Sequence, residues 1–212
     1  MVKQQLNAQA LAQAKPTQKA QQEVVITPIK ITEMNIGIMG TTPLLMEKMS
    51  DKVIESLTNI MEGKGKEKKP NRNFEQEVKD KIHYTADGKV GFPASGFKKA
   101  IVEAAPYMAD MDKKLARSIV VIGDMIEIKF KQQVTNKAMG RDSGIRRAPR
   151  PIWRPEFKGW SCTLKVRFNN SQITADQVVN LIKLAGFHIG VGGWTPQHSG
   201  SYGMFTVASG GK

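Results

Sequence analysis

Five arginines crowd one stretch of the chain: Arg141, Arg146, Arg147, Arg150 and Arg154. Lys131 and Lys137 precede them, Trp153 lies among them, and Asp142 and Glu156 are the only acids in the stretch. A guanidinium offers a planar fork of donors that matches a phosphate and also lies flat on a base. Trp153 offers a face on which an unpaired base can stack, a contact worth about 1–3 kcal/mol. Gly140, Gly144, Pro149, Pro151 and Pro155 forbid a regular helix here. The stretch is therefore expected to project as an extended basic hairpin that neutralises phosphates. The competing reading is a solvated basic loop whose Trp153 tucks into the core.

A second constellation lies near the C-terminus, where Gly190, Gly192, Gly193, Trp194, His198 and Tyr202 follow an apolar helix. Glycines can leave backbone N–H groups open to an anion, because no Cβ stands in the way. Both the P-loop and the dinucleotide fingerprint precede a helix, whereas these glycines come after one. No nucleotide cofactor is expected on that ground. The plainer reading is a tight connection whose Trp194 seals the core. Lys98 and Lys99, at the start of a middle helix, extend the same basic track.

Catalytic chemistry finds little support. His83, His188 and His198 show no metal-ligand spacing, and Asp110, Asp112 and Asp124 form no obvious metal cluster. Cys162 is the only cysteine, which excludes an internal disulfide and a cysteine-based zinc finger. It falls on the apolar side of an alternating strand, as an inert core residue does. No catalytic residue, metal or cofactor is assigned, and a binding protein is expected rather than an enzyme.

The elements that must position these residues follow from periodicity. Ile29, Ile31, Ile36 and Ile38 open the fold as a half-buried strand. Met49, Val53, Ile54, Leu57, Ile60 and Met61 recur at helical spacing, and a short amphipathic stretch runs from Phe74 to Ile82. Asp87-Gly88 suggests a hairpin turn. Ser95 is the expected N-cap of a helix carrying Phe97, Ile101, Ala105 and Met108, and a strand is expected over 119–130. Trp160, Cys162, Leu164, Val166 and Phe168 alternate with polar residues as the cleanest strand. Thr174 and Gln177 mark a capping box for a helix carrying Val178, Leu181, Ile182 and Ala185, with Gly186 as its expected left-handed exit.

The resulting order, βαββαβ, predicts an α+β chain of ferredoxin-like or RRM-like type, with two helices packed on one face of an antiparallel sheet. A flexible basic arm is expected over 1–22 and a single domain over 23–208. That domain would hold a helical insertion at about 46–90 and the basic hairpin at about 131–158, with a tail at 209–212. The formal net charge is +13, and it gathers in the hairpin, which favours a polyanionic partner. Apolar residues make up 40% of the chain, and no apolar run is long enough for a membrane span. A soluble, cytoplasmic protein without a membrane partner is expected.

Pro43-Leu44-Leu45-Met46, the run from Gly91 to Ala100, Arg154-Pro155-Glu156-Phe157 and the stretch from Ala185 to Phe205 resemble a group of uncharacterised phage-encoded proteins. The architecture is also similar to the RAMP superfamily, whose members form the backbone filament of CRISPR effector complexes. That resemblance implies that residues 131–154 act as a thumb and 190–203 as a glycine-rich loop lying near RNA. The loop departs from the usual form by carrying Trp194 and His198 in place of basic residues. The expected function is single-stranded nucleic-acid binding by copies assembled side by side, as a filament or ring. The phage likeness tilts this toward single-stranded DNA over RNA. The alternatives are a structural assembly protein and an RNA-binding backbone subunit of a CRISPR-like complex.

Overall fold

The computed structural model describes residues 28–64, 72–141 and 148–208. The elements in order are β1 (Ile31–Gly40), β2 (Leu44–Leu45), α1 (Asp51–Met61), α2 (Phe74–Asp80), β3 (Gly91–Pro93), α3 (Ala94–Ala104) and α4 (Lys113–Ala116). They continue with β4 (Val120–Val121), β5 (Met125–Glu127), β6 (Gln132–Arg141), β7 (Pro149–Lys158), β8 (Ser161–Asn169), α5 (Ala175–Leu184) and β9 (Phe205–Val207). The expected arm over 1–22 and tail over 209–212 lie outside the described residues.

The α+β class expected from the sequence is observed. The central sheet runs β4-β8-β1-β9, with every described pairing antiparallel. One face of it, built by Ile36, Ile38, Leu164, Val166, Phe168 and Phe205, is buried together with Phe97 and Ile101 of α3 and Leu181 and Ile182 of α5. The opposite face is polar. There Glu33 holds Lys165 at 2.9 Å and Arg167 at 2.6 Å, so these two cations are already paired. Trp160 is fully buried and its Nε1 donates to the Thr42 carbonyl at 2.8 Å. Any side chain at Gly40 would place its Cβ 2.2 Å from the Trp160 ring, so the glycine makes room for the indole.

Three local expectations change. The strand expected over 119–130 divides: Val120–Val121 pairs with β8, while Met125–Glu127 pairs with β3. Gly123, at φ +104°, makes the break between them. The helix α3 begins one residue before Ser95, with Pro93 at the N-cap and no side-chain cap. The exit expected at Gly186 comes later. A π-helical turn, Ala185–Ile189, prolongs α5, and Gly190 at φ +73° ends it. Gly186 is buried for another reason: a Cβ there would sit 1.9 Å from the Phe205 carbonyl oxygen. The Thr174–Gln177 capping box forms as expected.

Candidate nucleic-acid interface

The basic stretch does form an extended hairpin. β6 and β7 pair in register from Gln132↔Lys158 to Arg141↔Pro149. β2 joins its base through Leu44↔Phe157 and Leu45↔Glu156. In such a pair, directly opposed residues share a face and the face alternates along the strand. Asn136, Arg150, Arg154 and Glu156 therefore lie on one face, and Lys137, Arg141 and Trp153 on the other. Lys137, Arg141 and Arg150 are exposed, as is Lys131 at the start of the hairpin. Arg146 and Arg147 lie outside the described residues.

The second face is where Trp153 sits, half-buried. Its ring lies 4.8 Å from that of Phe74 on α2, and the Lys137 ammonium stands 4.3 Å above it. Lys81 reaches in to donate to the Trp153 carbonyl at 2.7 Å, and burial lowers the pKa of that ammonium. Neither sequence reading of Trp153 is complete, since the indole packs on Phe74 beneath a cation and stays partly open.

The first face meets the glycine-rich loop. Arg154 is only 5% exposed; its Nη2 pairs with Glu47 at 3.2 Å, and its guanidinium lies 4.6 Å from the Trp194 ring centroid. Asn136 donates to Glu156 at 2.9 Å and to the Tyr202 hydroxyl at 3.3 Å. Trp194 and Tyr202 stand 6.2 Å apart. Trp194 adopts φ +52°, a left-handed conformation uncommon for a bulky side chain and of the kind found where a site fixes its geometry. Arg154 Nε and Nη1 and Asn136 Oδ1 are buried without any protein partner. Buried polar groups are nearly always hydrogen-bonded, so two donors and an acceptor left without partners beside an aromatic pair set this corner apart from the rest of the core.

The glycines serve packing more than anion capture. The N–H groups of Gly190 and Gly193 already donate to Ala185 and Leu45, each at 2.9 Å. Gly192, at φ +88°, lies so close to Leu45 that a Cβ would approach its carbonyl oxygen to 2.3 Å. The loop thus contributes side chains to the site, held by a backbone that is internally bonded. Beside it opens a cleft of about 340 Å³, lined by Gly96 and Lys99 of α3 and by Gly190, Gly192, Gly193 and His198 of the loop. Glu47 lines it too and connects it to Arg154. Such a volume lies at the lower end of the range of small-molecule sites. His83, also on the lining, is held below the ordinary imidazole pKa by burial and by Lys48.

Of the two lysines expected on the track, Lys99 faces this cleft. Lys98 does not: its ammonium donates to the carbonyls of Ala116, Arg117 and Ile119, and burial lowers its pKa. Burial pushes the Cys162 thiol up to about 12. Three residues escaped the sequence reading, Glu47, Lys81 and Asn136, and Glu156 was noted there only as an acid among the arginines. Of those three, only Asn136 left a sign there, as a polar residue standing in phase with the half-buried Val134 and Ala138.

No family model and no curated protein matches the chain, so the phage-protein likeness finds no support there. Solved structures do match. A chain of the cryo-EM structure of the Type III-B Cmr-beta bound to cognate target RNA aligns at TM-score 0.54 and 12% identity, over 85% of this chain and 60% of that one. The crystal structure of Cmr6 from Pyrococcus furiosus aligns at TM-score 0.41 and 11% identity, over 85% of this chain and 100% of that one. This chain therefore spans about 60% of the length of the Cmr-beta chain it matches. The Cmr-beta likeness is one of fold, and it agrees with the α+β architecture expected from the sequence.

Proposed function

We propose that this protein binds single-stranded RNA in the angle between the β6–β7 hairpin and the glycine-rich loop, as one subunit of a multi-copy assembly. The observation that carries the reading is the base of the hairpin. There the buried Arg154, with two unpartnered donors, lies under Trp194 and beside Tyr202 and Asn136. Arg150, on the hairpin face that meets the loop, would neutralise the backbone there. Lys131 at the start of the hairpin and Lys137 and Arg141 on its other face would continue the track where the strand wraps over the hairpin. Trp194 and Tyr202 would stack or wedge bases. The sheet order β4-β8-β1-β9, with α3 and α5 on one face, supports a ferredoxin-like reading of the core. RNA is favoured over DNA because the Cmr-beta structure of similar fold is bound to target RNA. The lean of the sequence toward single-stranded DNA rested on the phage likeness alone.

The test is fluorescence anisotropy with a labelled single-stranded RNA, its DNA counterpart and the RNA duplex, at low and moderate salt. Tightest binding to single-stranded RNA that weakens with salt is the expected result. No binding at low salt to any of the three would overturn the proposal, and tighter binding to DNA would restore the sequence-based preference.

A further inference from the structure

Three aromatic rings meet at one end of the helical layer. Phe187 is 63% exposed and Tyr107 55%, and the half-buried His188 touches both. The Tyr107 and His188 rings are parallel to within 3°, with centroids 4.1 Å apart, and Phe187 meets His188 edge-on at 5.0 Å. Chain geometry puts them there. Ala185, Gly186 and Ile189 of the π-helical turn are buried, which leaves Phe187 turned outward, and turns of this kind recur at functional sites. Tyr107 closes the 3-10 turn Ala105–Tyr107 that continues α3. None of the three rings belongs to the buried core.

The surface leading to the rings is the cleft beside the glycine-rich loop. Ile189 and Gly190, which follow His188 directly, line that cleft, as do Lys99 and Ala100 of α3. Glu103 and Tyr107 continue the same face of the helix beyond Ala100, at spacings of three and four residues. From Ala100 to Tyr107 the path is about 10 Å long. It is also basic. Glu103 bonds to Lys113, and the nearby Lys99 and Arg117 help that bond hold its carboxyl below the ordinary carboxylate range. One acid thus sits among three cations, and the exposed Lys183 lies one turn before Phe187. Asp110 and Asp112, the next acids along the chain, border a different hollow, with Lys114 and Gln172.

Exposed aromatics among cations suit a single strand better than an apolar protein surface. A protein surface would have to desolvate the lysines, whereas bases lie flat on the rings and phosphates pair with the charges between them. The parallel Tyr107–His188 pair is already the start of such a stack. We propose that Tyr107, His188 and Phe187 form a second base-stacking platform, which receives the unpaired bases of single-stranded RNA leaving the cleft along α3. The proposal rests on the RNA reading above and lengthens its site: Trp194 and Tyr202 hold bases beside the hairpin, and this trio holds those farther along.

Anisotropy with full-length protein and single-stranded RNAs of stepped length tests it. Wild-type affinity is expected to rise once the strand can reach from the hairpin corner to the trio. Tyr107→Ala/Phe187→Ala is expected to lose that gain, about fivefold or more for each ring removed, and to match wild type on shorter strands. Tyr107→Phe/Phe187→Tyr is expected to keep it. A thermal melt checks the fold of the alanine chain, and should it melt early, Phe187→Ala alone carries the same length-dependent prediction. A gain that survives in the alanine chain, or no gain in wild type, overturns the platform while leaving the hairpin site standing. Wild-type protein that binds no RNA of any length overturns both. A loss of equal size at every length overturns the platform too. So does a changed oligomer size in nuclease-treated alanine variant with RNA affinity intact, which would assign the trio to a protein contact.

Discussion

Replacing Lys137, Arg141 and Arg150 together by alanine tests whether the hairpin tracks a nucleic-acid backbone. All three are exposed, and none makes an ion pair among the described residues. Fold stability should therefore change little, apart from the loss of Lys137 above Trp153. Each phosphate contact contributes about −0.7 to the slope of log affinity against log salt for a single strand, so three lost contacts should flatten the slope by about 2. Between about 50 and 200 mM salt the wild-type chain should then lose roughly twentyfold more affinity than the variant. Anisotropy of a labelled single-stranded RNA, titrated with protein at four or more salt concentrations, reads this slope directly. Because Arg150 lies on the hairpin face opposite Lys137 and Arg141, the Arg150→Ala chain and the Lys137→Ala/Arg141→Ala chain should divide the loss. With all three in contact the shares are about 0.7 and 1.4, whereas a strand confined to one face leaves the slope of the other variant unchanged. A triple variant with an unchanged slope refutes the hairpin as a phosphate track, even if its affinity falls.

Three further outcomes are expected. Trp194→Ala should weaken RNA binding by about tenfold or more, since a stacking aromatic is worth about 1–3 kcal/mol, whereas Trp194→Phe should keep most of it; equal affinity in both variants would remove Trp194 from the site. Gly192→Ala should destabilise the fold by about 2 kcal/mol or more, through its positive φ and the approach to the Leu45 carbonyl, while Gly193→Ala, whose Cβ meets nothing closer than 3.6 Å, should be nearly silent in a thermal melt. The His83 pKa is depressed in the folded chain, so its contribution to stability is full above the ordinary 6.5 and is lost as pH falls through the folded value. Urea midpoints should therefore drop between about pH 7 and pH 5 more steeply in wild type than in His83→Gln, and parallel curves would show that His83 titrates alike folded and unfolded.

What the sequence made legible was whatever local chemistry dictates. The alternation from Trp160 to Phe168 could only be a strand with one buried face, and the Thr174–Gln177 pair marks a helix start by its own hydrogen bonds. The hairpin was legible because Gly140, Pro149, Pro151 and Pro155 exclude a helix and leave strands. The site was less legible, because its key relations are tertiary. No local rule sends Arg154 inward to Glu47 while Arg150, on the same face, stays exposed; β2 buries the hairpin base and leaves the tip free. The glycines illustrate the same limit. Their composition suggested open N–H groups, yet the approach of Leu45 and Pro196 uses them for close packing. Helix α1 is the reverse case: its periodicity correctly announced a helix, but periodicity cannot say which surface an apolar face meets.

The most direct measurement is ultraviolet cross-linking of the full-length protein to a single-stranded RNA at low salt, with the linked peptides identified by mass spectrometry. The account predicts adducts at Trp194 or Tyr202 together with adducts along residues 132–158, and their loss at high salt. Adducts confined to other surfaces, such as the polar sheet face around Lys165 and Arg167, would contradict it.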